Sequence, residues 1–363
     1  WLKALLKATV AKGHPRAGAR HRLLSAMAGL AVATLPDPLK DFGSLPEGPL
    51  DLGGSSGLGG RGSGFSFTAA ARPWPLGTPQ RSVRLRDFSV AMPNLMNQEI
   101  DFQGLPDQIK VALAFLRSVS PQDIVSDEVV ANFPPLLPPL SEQHQGRRTL
   151  VLDLDETLVH CHPSLLATAP PPALQLRIEV TTPPLNAHVY VRPYAQLLLE
   201  LAARAFEVVV FTASAAVYAD QVLDFLDPDH TRVSHRLYRQ HCTEIAGGHF
   251  KDMRRLGRRL EDVILADNSP LAVGLSPDSG ILVASWFGQD TGDSELLDLI
   301  VVLDQCCLQE SIPVFLAERY GFSAFLQQQR LRQRQLQGGA GFLSPAFTVL
   351  GACAGPVTQV TQA

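Results

Sequence analysis

Four apolar runs that alternate with helical patterns constrain the fold of this chain more than any other feature. The runs lie in "TLVLDLD", "FEVVVFTAS", "DVILADNSP" and "GILVASWF". Helical spacing of apolar residues occupies "PYAQLLLELAARA", "AAVYADQVLDFLD" and "DSELLDLIVVLDQCC", the last with Asp293 and Ser294 placed to cap it. Strands that are apolar throughout are typical of a parallel sheet covered on both faces. The pattern therefore predicts an α/β fold whose functional site lies at the carboxyl ends of the strands.

Polar side chains close the first three runs. Because neighbouring parallel strands end at the same edge of a sheet, we expect these side chains to lie close together. A lysine that lies shortly before the third run is expected to join them. The residues are Asp153 and Asp155 after the first run, Thr212 after the second, Asp267 and Asn268 after the third, and Lys251 in "GGHFKDM".

This set of side chains is suited to phosphoryl transfer. Carboxylate and amide oxygens are ligands that Mg²⁺ prefers, and carboxylates this crowded need a cation to offset their repulsion. Threonine and lysine can hold phosphate oxygens, one aspartate can attack phosphorus, and the other can transfer a proton. Thr157 is expected to hold the loop through a hydrogen bond. The alternative, a chance combination of residues or a site that has lost its activity, is disfavoured because the motif coincides with three strand ends.

The chain resembles the C-terminal-domain phosphatases of the haloacid dehalogenase superfamily, the FCP and small-CTD-phosphatase (SCP) group. The matching stretches follow the family's order from about residue 147 to 310. They are "LVLDLDETLVHC", "VYVRPY", "VVVFTASAAVYADQVLDFLDP", "HRLYRQHC", "FKDMRRLGRRLEDVILADNSP" and "VASWFGQDTGDSELLDL".

The resemblance implies a role for each site residue. Asp153 would be the nucleophile and Asp155 the general acid and base, while Thr212 and Lys251 would hold the phosphoryl group. Arg239, in "YRQHC", would contact the substrate, although a surface ion pair is an equally open interpretation. The implied ligands of Mg²⁺ are Asp153, the backbone carbonyl of Asp155, Asp267 and Asn268.

The resemblance also implies a fold and a class of substrate. The fold is a Rossmann-like parallel sheet of the haloacid dehalogenase type with a small β-hairpin insertion after the first motif. The alternating patterns in "ALQLRIEVTT" and "NAHVYVRP" predict that hairpin within residues 163–191. The family's substrates are phosphoserine and phosphothreonine in proteins, above all in the RNA polymerase II C-terminal repeat.

The remaining segments differ from this domain in composition. We predict a largely disordered extension over residues 1–106, a helix and proline-rich linker over 107–146, the phosphatase domain over 147–329, and a flexible tail over 330–363. Residues 1–36 include several basic residues and no acid, and the first acid is Asp37. The segment is interpreted either as a targeting segment or as a plain extension. The expected location is the nucleus, with a mitochondrion or chloroplast as the alternative.

Composition bears on partners and on the alternative functions. The formal net charge of −4 gives no general attraction to nucleic acid, and no apolar run is long enough to predict a membrane span. Five cysteines without a CxxC pair favour a reducing compartment.

The main alternative function is a catalytically silent binding subunit, similar to receptors of the mitochondrial import translocase, but such subunits tend to lack the paired aspartates. A small-molecule phosphatase would carry a larger cap than the predicted insertion.

Overall fold

The computed structural model describes residues 84–85, 87–119, 124–179 and 184–337. The predicted targeting segment, most of the predicted extension and the end of the predicted tail lie outside these residues. The strands are β1 (Arg84–Leu85), β2 (Glu99–Ile100), β3 (Arg148–Leu152), β4 (Val159–His162), β5 (Leu174–Ile178), β6 (Leu185–Val191), β7 (Phe206–Phe211), β8 (His235–Leu237), β9 (Thr243–Ile245), β10 (Gly248–Phe250), β11 (Val263–Asp267) and β12 (Gly280–Leu282). The helices are α1 (Asp107–Ser118), α2 (Asp127–Val130), α3 (Ala195–Ala205), α4 (Ala216–Leu226), α5 (Pro270–Val273), α6 (Glu295–Cys306), α7 (Ile312–Tyr320) and α8 (Phe322–Gln337).

A five-stranded parallel sheet forms the centre of the fold, in the order β12-β11-β3-β7-β8. Leu150 of β3 pairs with Ile264 of β11 on one side and with Val208 of β7 on the other. Every residue of β7 and β11 is buried, so both faces of these strands are covered. Burial of each such aliphatic side chain contributes about 1.5–3 kcal/mol to folding. The predicted α/β class and parallel sheet are therefore confirmed, and the ends of β3, β7 and β11 are neighbours.

The insertion after the first motif is a three-stranded antiparallel sheet in the order β4-β6-β5. The predicted hairpin is present as β5 and β6. The prediction was incomplete because β4 adds a third strand, with His160 opposite Tyr190. The short pattern of β4, with two buried and two half-buried residues, carries little periodicity that could have revealed it.

Residues 87–106 differ from the predicted disordered extension. Phe88, Val90 and Leu95 are at most 2% exposed. The amide of Val90 donates to Glu295 Oε1 at 2.6 Å, and the Phe88 ring lies edge-on to Phe322 at 6.2 Å. This part of the chain belongs to the core. Its apolar residues are interspersed with polar residues and prolines, and the partners that bury them lie far along the chain, so their burial was not predicted.

The predicted helix at 107–118 is present as α1, and the proline-rich segment after it is attached to the domain. The amide of Leu136 donates to the carbonyl of Arg255 at 2.8 Å, and Leu137 is 3% exposed. At the other end α8 continues to residue 337, past the predicted domain boundary at 329, and Arg330 Nε donates to the carbonyl of Leu116 at 3.1 Å. Among the described helices, none combines the length and apolar character that a membrane span requires.

Candidate active site

The ends of β3 and β11 bring two carboxylates to one lysine. Lys251 Nζ lies 2.6 Å from Asp153 Oδ1 and 2.6 Å from Asp267 Oδ2. The hairpin of β9 and β10 delivers the lysine, which follows β10 directly. All three residues are buried, with exposures of 6% or less. Three of the predicted site residues therefore form one cluster at the carboxyl edge of the sheet.

Burial and charge shift the ionisation of this cluster in opposite directions. Burial, together with the charge of Asp153, raises the pKa of Asp267 to about 6, although Lys251 opposes this shift. Burial alone would lower the pKa of Lys251, but the two carboxylates outweigh it and raise that pKa above its ordinary value. The lysine therefore stays charged and pairs with both carboxylates.

The second aspartate of the motif is held by hydroxyl groups. Tyr218 OH donates to Asp155 Oδ1 at 2.6 Å, and Ser214 Oγ donates to Asp155 Oδ2 at 2.7 Å. The predicted phosphate ligand Thr212 also reaches Asp155 Oδ2, at 3.3 Å. Burial raises the pKa of Asp155 to about 6, with help from nearby Glu156, whereas the hydrogen bonds from Tyr218 and Ser214 oppose the shift.

Sequence reasoning missed Tyr218 and Ser214. Ser214 lies two residues past Thr212, and Tyr218 lies one turn further, in the first turns of α4. The available signal was a tyrosine among the apolar positions of a predicted helix that starts at a site-bearing strand end. A buried tyrosine hydroxyl needs a hydrogen-bond partner, and here that partner is Asp155.

An arginine shapes the loop that follows Asp155. Arg192 is 1% exposed and makes two hydrogen bonds of 2.8 Å to the carboxylate of Asp293. Its Nη1 also donates to the carbonyl of Thr157 at 3.2 Å, and the intervening Glu156 adopts a φ of 59°. The prediction that the Thr157 side chain holds the loop was wrong, because its buried hydroxyl has no partner among the described residues and its carbonyl is held instead.

The residues predicted to bind Mg²⁺ are compatible with that ion. The carboxylates of Asp153 and Asp267 both lie 2.6 Å from Lys251 Nζ, so they are close enough to each other to share a cation. Asn268 Nδ2 donates to Ser285 Oγ at 3.0 Å, so the amide oxygen is the atom left for a ligand. Within the described residues no group of three His, Cys, Asp or Glu side chains could hold a metal. The predicted set of ligands does not need three such side chains, because its other two donors are a backbone carbonyl and an amide oxygen.

Arg239 lies outside the buried cluster but next to it. It begins a short 3-10 helix, Arg239–His241, and is exposed. Its Nε donates to the carbonyl of Ala213, the residue after Thr212, at 2.6 Å. The guanidinium is thus tied to the strand end that carries the predicted phosphate ligand.

The parallel sheet, its β insertion and the aspartate-lysine cluster define an α/β protein with a charged site at the carboxyl edge of its sheet. The chain belongs to the family of NLI interacting factor-like phosphatases, whose sequence pattern matches residues 148–312. This membership confirms the predicted resemblance to the FCP and SCP group of phosphatases.

Curated relatives support the same family. The chain is 41% identical over 179 residues to Phosphatase PSR1 of Saccharomyces cerevisiae, covering 49% of this chain and 41% of that protein. It is 35% identical over 214 residues to CTD small phosphatase-like protein 3 of Caenorhabditis elegans, covering 59% of this chain and 69% of the relative. CTD nuclear envelope phosphatase 1 of Xenopus tropicalis is 39% identical over 164 residues, covering 44% of this chain and 66% of the relative.

These relatives differ from the chain in extent. The chain spans about half the length of several of the curated relatives that it matches. A solved structure of Fcp1, described as an essential RNA polymerase II CTD phosphatase, is similar with a TM-score of 0.33 and 16% identity, covering 55% of each chain.

Proposed function

We propose that this chain is a Mg²⁺-dependent protein serine/threonine phosphatase that acts through an aspartyl-phosphate. The observation that carries the proposal is the pairing of two differently placed aspartates. Asp153 is buried against Lys251, whereas Asp155 is only half-buried and accepts three hydroxyl hydrogen bonds. Two carboxylates in such different surroundings are suited to two different roles.

In the proposed reaction, the Asp153 carboxylate attacks phosphorus, and the bond from phosphorus to the serine or threonine oxygen breaks. Asp155 gives its proton to that leaving oxygen, and later takes a proton from the water that hydrolyses the aspartyl-phosphate. Lys251 and Thr212 hold the phosphoryl oxygens. Bound Mg²⁺ would neutralise charge on the transferring group, and Asp153, the Asp155 carbonyl, Asp267 and Asn268 would hold it.

The proposed substrate is a phosphorylated segment of a protein, with the RNA polymerase II C-terminal repeat as the first candidate. Support comes from the family, whose members include CTD small phosphatases, and from the modest size of the insertion, residues 159–191. Exposed Arg239, whose Nε donates to the carbonyl of Ala213, would contact such a segment.

We propose the nucleus as the location. Imaging of tagged full-length protein would reject this if the tag marks a mitochondrion or chloroplast.

The first experiment measures hydrolysis of an aryl phosphate by the full chain, with and without Mg²⁺. We expect Asp153→Asn to abolish turnover, because an amide cannot serve as the nucleophile. Asp229→Asn is the matched control, since the same substitution at an exposed aspartate outside the cluster should leave turnover unchanged.

Each part of the proposal has an outcome that would contradict it. Full activity of Asp153→Asn would reject the nucleophile, and activity that persists in EDTA would reject the role of Mg²⁺. No turnover by the wild-type chain with Mg²⁺ would favour the alternative, a silent binding subunit. A panel of phosphopeptides then tests the substrate: equal rates on polymerase-repeat and unrelated peptides would reject the repeat as the preferred substrate.

A further inference from the structure

Helix α1 lies outside the segment that the family pattern matches, yet it reaches the active site. Gln108, in its first turn, donates from Nε2 to Ser285 Oγ at 2.7 Å. Ser285 Oγ also accepts the hydrogen bond from Asn268 Nδ2 at 3.0 Å. One serine hydroxyl therefore links a helix that precedes the family domain to a residue that would bind Mg²⁺.

The hydrogen bonds of these three groups set the direction of the Asn268 amide. A serine oxygen has two lone pairs and accepts both amide N–H groups. While Asn268 donates through its nitrogen, its oxygen points away from Ser285. Rotation of the amide by half a turn would bring that oxygen to the serine hydroxyl, which would then donate to it, and the oxygen would be lost as a ligand for a metal.

Packing holds α1 firmly in this position. Its buried residues Ile109, Leu113 and Leu116 recur at helical spacing, and the helix packs on α5, which begins two residues after Asn268. Helix α1 lies close to the chain that follows α5, since a Cβ added to Gly274 would overlap the side chain of Leu116.

The same helix also supports the lysine side of the site. The ring of Phe115 lies 6.0 Å from that of Phe250, the residue directly before Lys251. Helix α1 thus contacts the chain immediately beside two of the predicted site residues.

We propose that Gln108 of α1 and Ser285 are positioning residues that orient the Asn268 amide oxygen toward Mg²⁺. The proposal rests on the proposed function, because that function assigns Asn268 to the metal. Groups that orient metal ligands typically change metal affinity 10- to 100-fold when they are removed. Gln108 is exposed, so its hydrogen bond to Ser285 should contribute less to Mg²⁺ affinity than the hydrogen bond between Ser285 and Asn268.

The test is titration calorimetry of Mg²⁺ into the full chain without substrate, with the melting temperature of each variant measured beside it. Ser285→Ala should raise the Mg²⁺ dissociation constant about tenfold, and Gln108→Ala about threefold. The double variant should bind as weakly as Ser285→Ala alone, because Gln108 acts through Ser285. Ser285→Thr keeps the hydroxyl and should restore affinity.

Val111→Ala is the matched control on the same helix, since Val111 is 63% exposed and makes none of these contacts. Unchanged Mg²⁺ affinity in Ser285→Ala and Gln108→Ala would overturn the proposal, even if their melting temperatures fall. Additive losses of Mg²⁺ affinity in the double variant would contradict the inference that Gln108 acts through Ser285. A wild-type chain that binds no Mg²⁺ overturns this inference, whether or not it hydrolyses phosphate. If the wild type binds Mg²⁺ and the variants bind it more weakly as expected, but the wild type shows no turnover, only the proposed function is overturned.

Discussion

Asp155 accepts hydrogen bonds from three hydroxyl groups, of which Tyr218 makes the shortest, at 2.6 Å. Tyr218→Phe removes that donor and leaves the ring. We expect kcat for an aryl phosphate to fall about tenfold or more, because a hydrogen bond to a charged group is worth about 1.5–3 kcal/mol and 1.4 kcal/mol is tenfold in rate. Steady-state kinetics at saturating Mg²⁺ measures this.

Tyr320→Phe is the control for the loss of a tyrosine hydroxyl. Tyr320 is also buried, but its hydroxyl donates to the carbonyl of Val90 at 2.9 Å, far along the chain from the site. This variant should lose stability in urea and keep kcat. Equal kcat values for Tyr218→Phe and the wild type would show that the hydroxyl does not position Asp155.

Whether a site residue could be predicted from the sequence depended on where it lies. Asp153, Thr212 and Asp267 follow buried strands, and the geometry of a parallel sheet places such ends together whatever the loops do. Ser285 could not be assigned a role, because its hydrogen-bond partners Gln108 and Asn268 lie 177 and 17 positions earlier. Contacts of that kind depend on packing and leave no periodic signal.

At the scale of elements, Arg192 joins three parts of the fold. It follows β6, pairs with Asp293 just before α6, and holds the carbonyl of Thr157 in the loop after Asp155. Arg192→Ala would leave the largely buried Asp293 carboxylate without its cation. We expect a loss of about 3–5 kcal/mol in the free energy of unfolding, measured by urea denaturation.

A matched arginine separates this effect from loss of charge alone. Arg177 and Glu179 also form an ion pair, at 2.7 Å, but both side chains are about two-thirds exposed. Arg177→Ala should change stability by less than about 1 kcal/mol, because water screens such pairs. Similar losses in the two variants would show that burial does not set the strength of the Arg192 pair.

The sequence predicted the elements of the domain better than its edges. Helix α1 and the strands β3, β7 and β11 were found because their periodicity is local. Residues 87–106 were assigned to a disordered extension, yet Phe88 and Val90 are buried through contacts with Phe322 and Glu295, more than 200 positions away. No local pattern reports such a partner, so the N-terminal boundary of the core required the structure.

At the scale of the whole molecule, a second charged cluster ties the sheet together at the edge opposite the site. Glu207 of β7 is fully buried. It accepts hydrogen bonds from Thr149 of β3 at 2.8 Å and from Arg258 at 2.7 and 2.8 Å, and it lies 3.2 Å from the ring of His235 in β8. Burial would raise the pKa of Glu207, but these partners outweigh it and lower the pKa well below its ordinary value of 4.5.

A lowered carboxyl pKa has a definite consequence for stability. The folded state binds a proton at Glu207 less readily than the unfolded chain does, so the ionised group stabilises the fold above about pH 4.5. That contribution is lost as the pH falls from about 5 toward 3 and below. We therefore expect the free energy of unfolding, measured in urea at each pH, to decline over this range.

Glu207→Gln separates this group from the other acids of the chain. At pH 7 the variant should be less stable than the wild type by about 1.5–3 kcal/mol, because charge-assisted hydrogen bonds to Arg258 become neutral ones. The difference should shrink as the pH falls, because protonation of Glu207 in the unfolded chain lowers the stability of the wild type, whereas glutamine does not titrate. Glu179→Gln, at an exposed position, should differ little from the wild type at any pH. A gap between Glu207→Gln and the wild type that stays constant from pH 7 to pH 3 would mean that ionisation of Glu207 does not stabilise the sheet, and that its packing alone does.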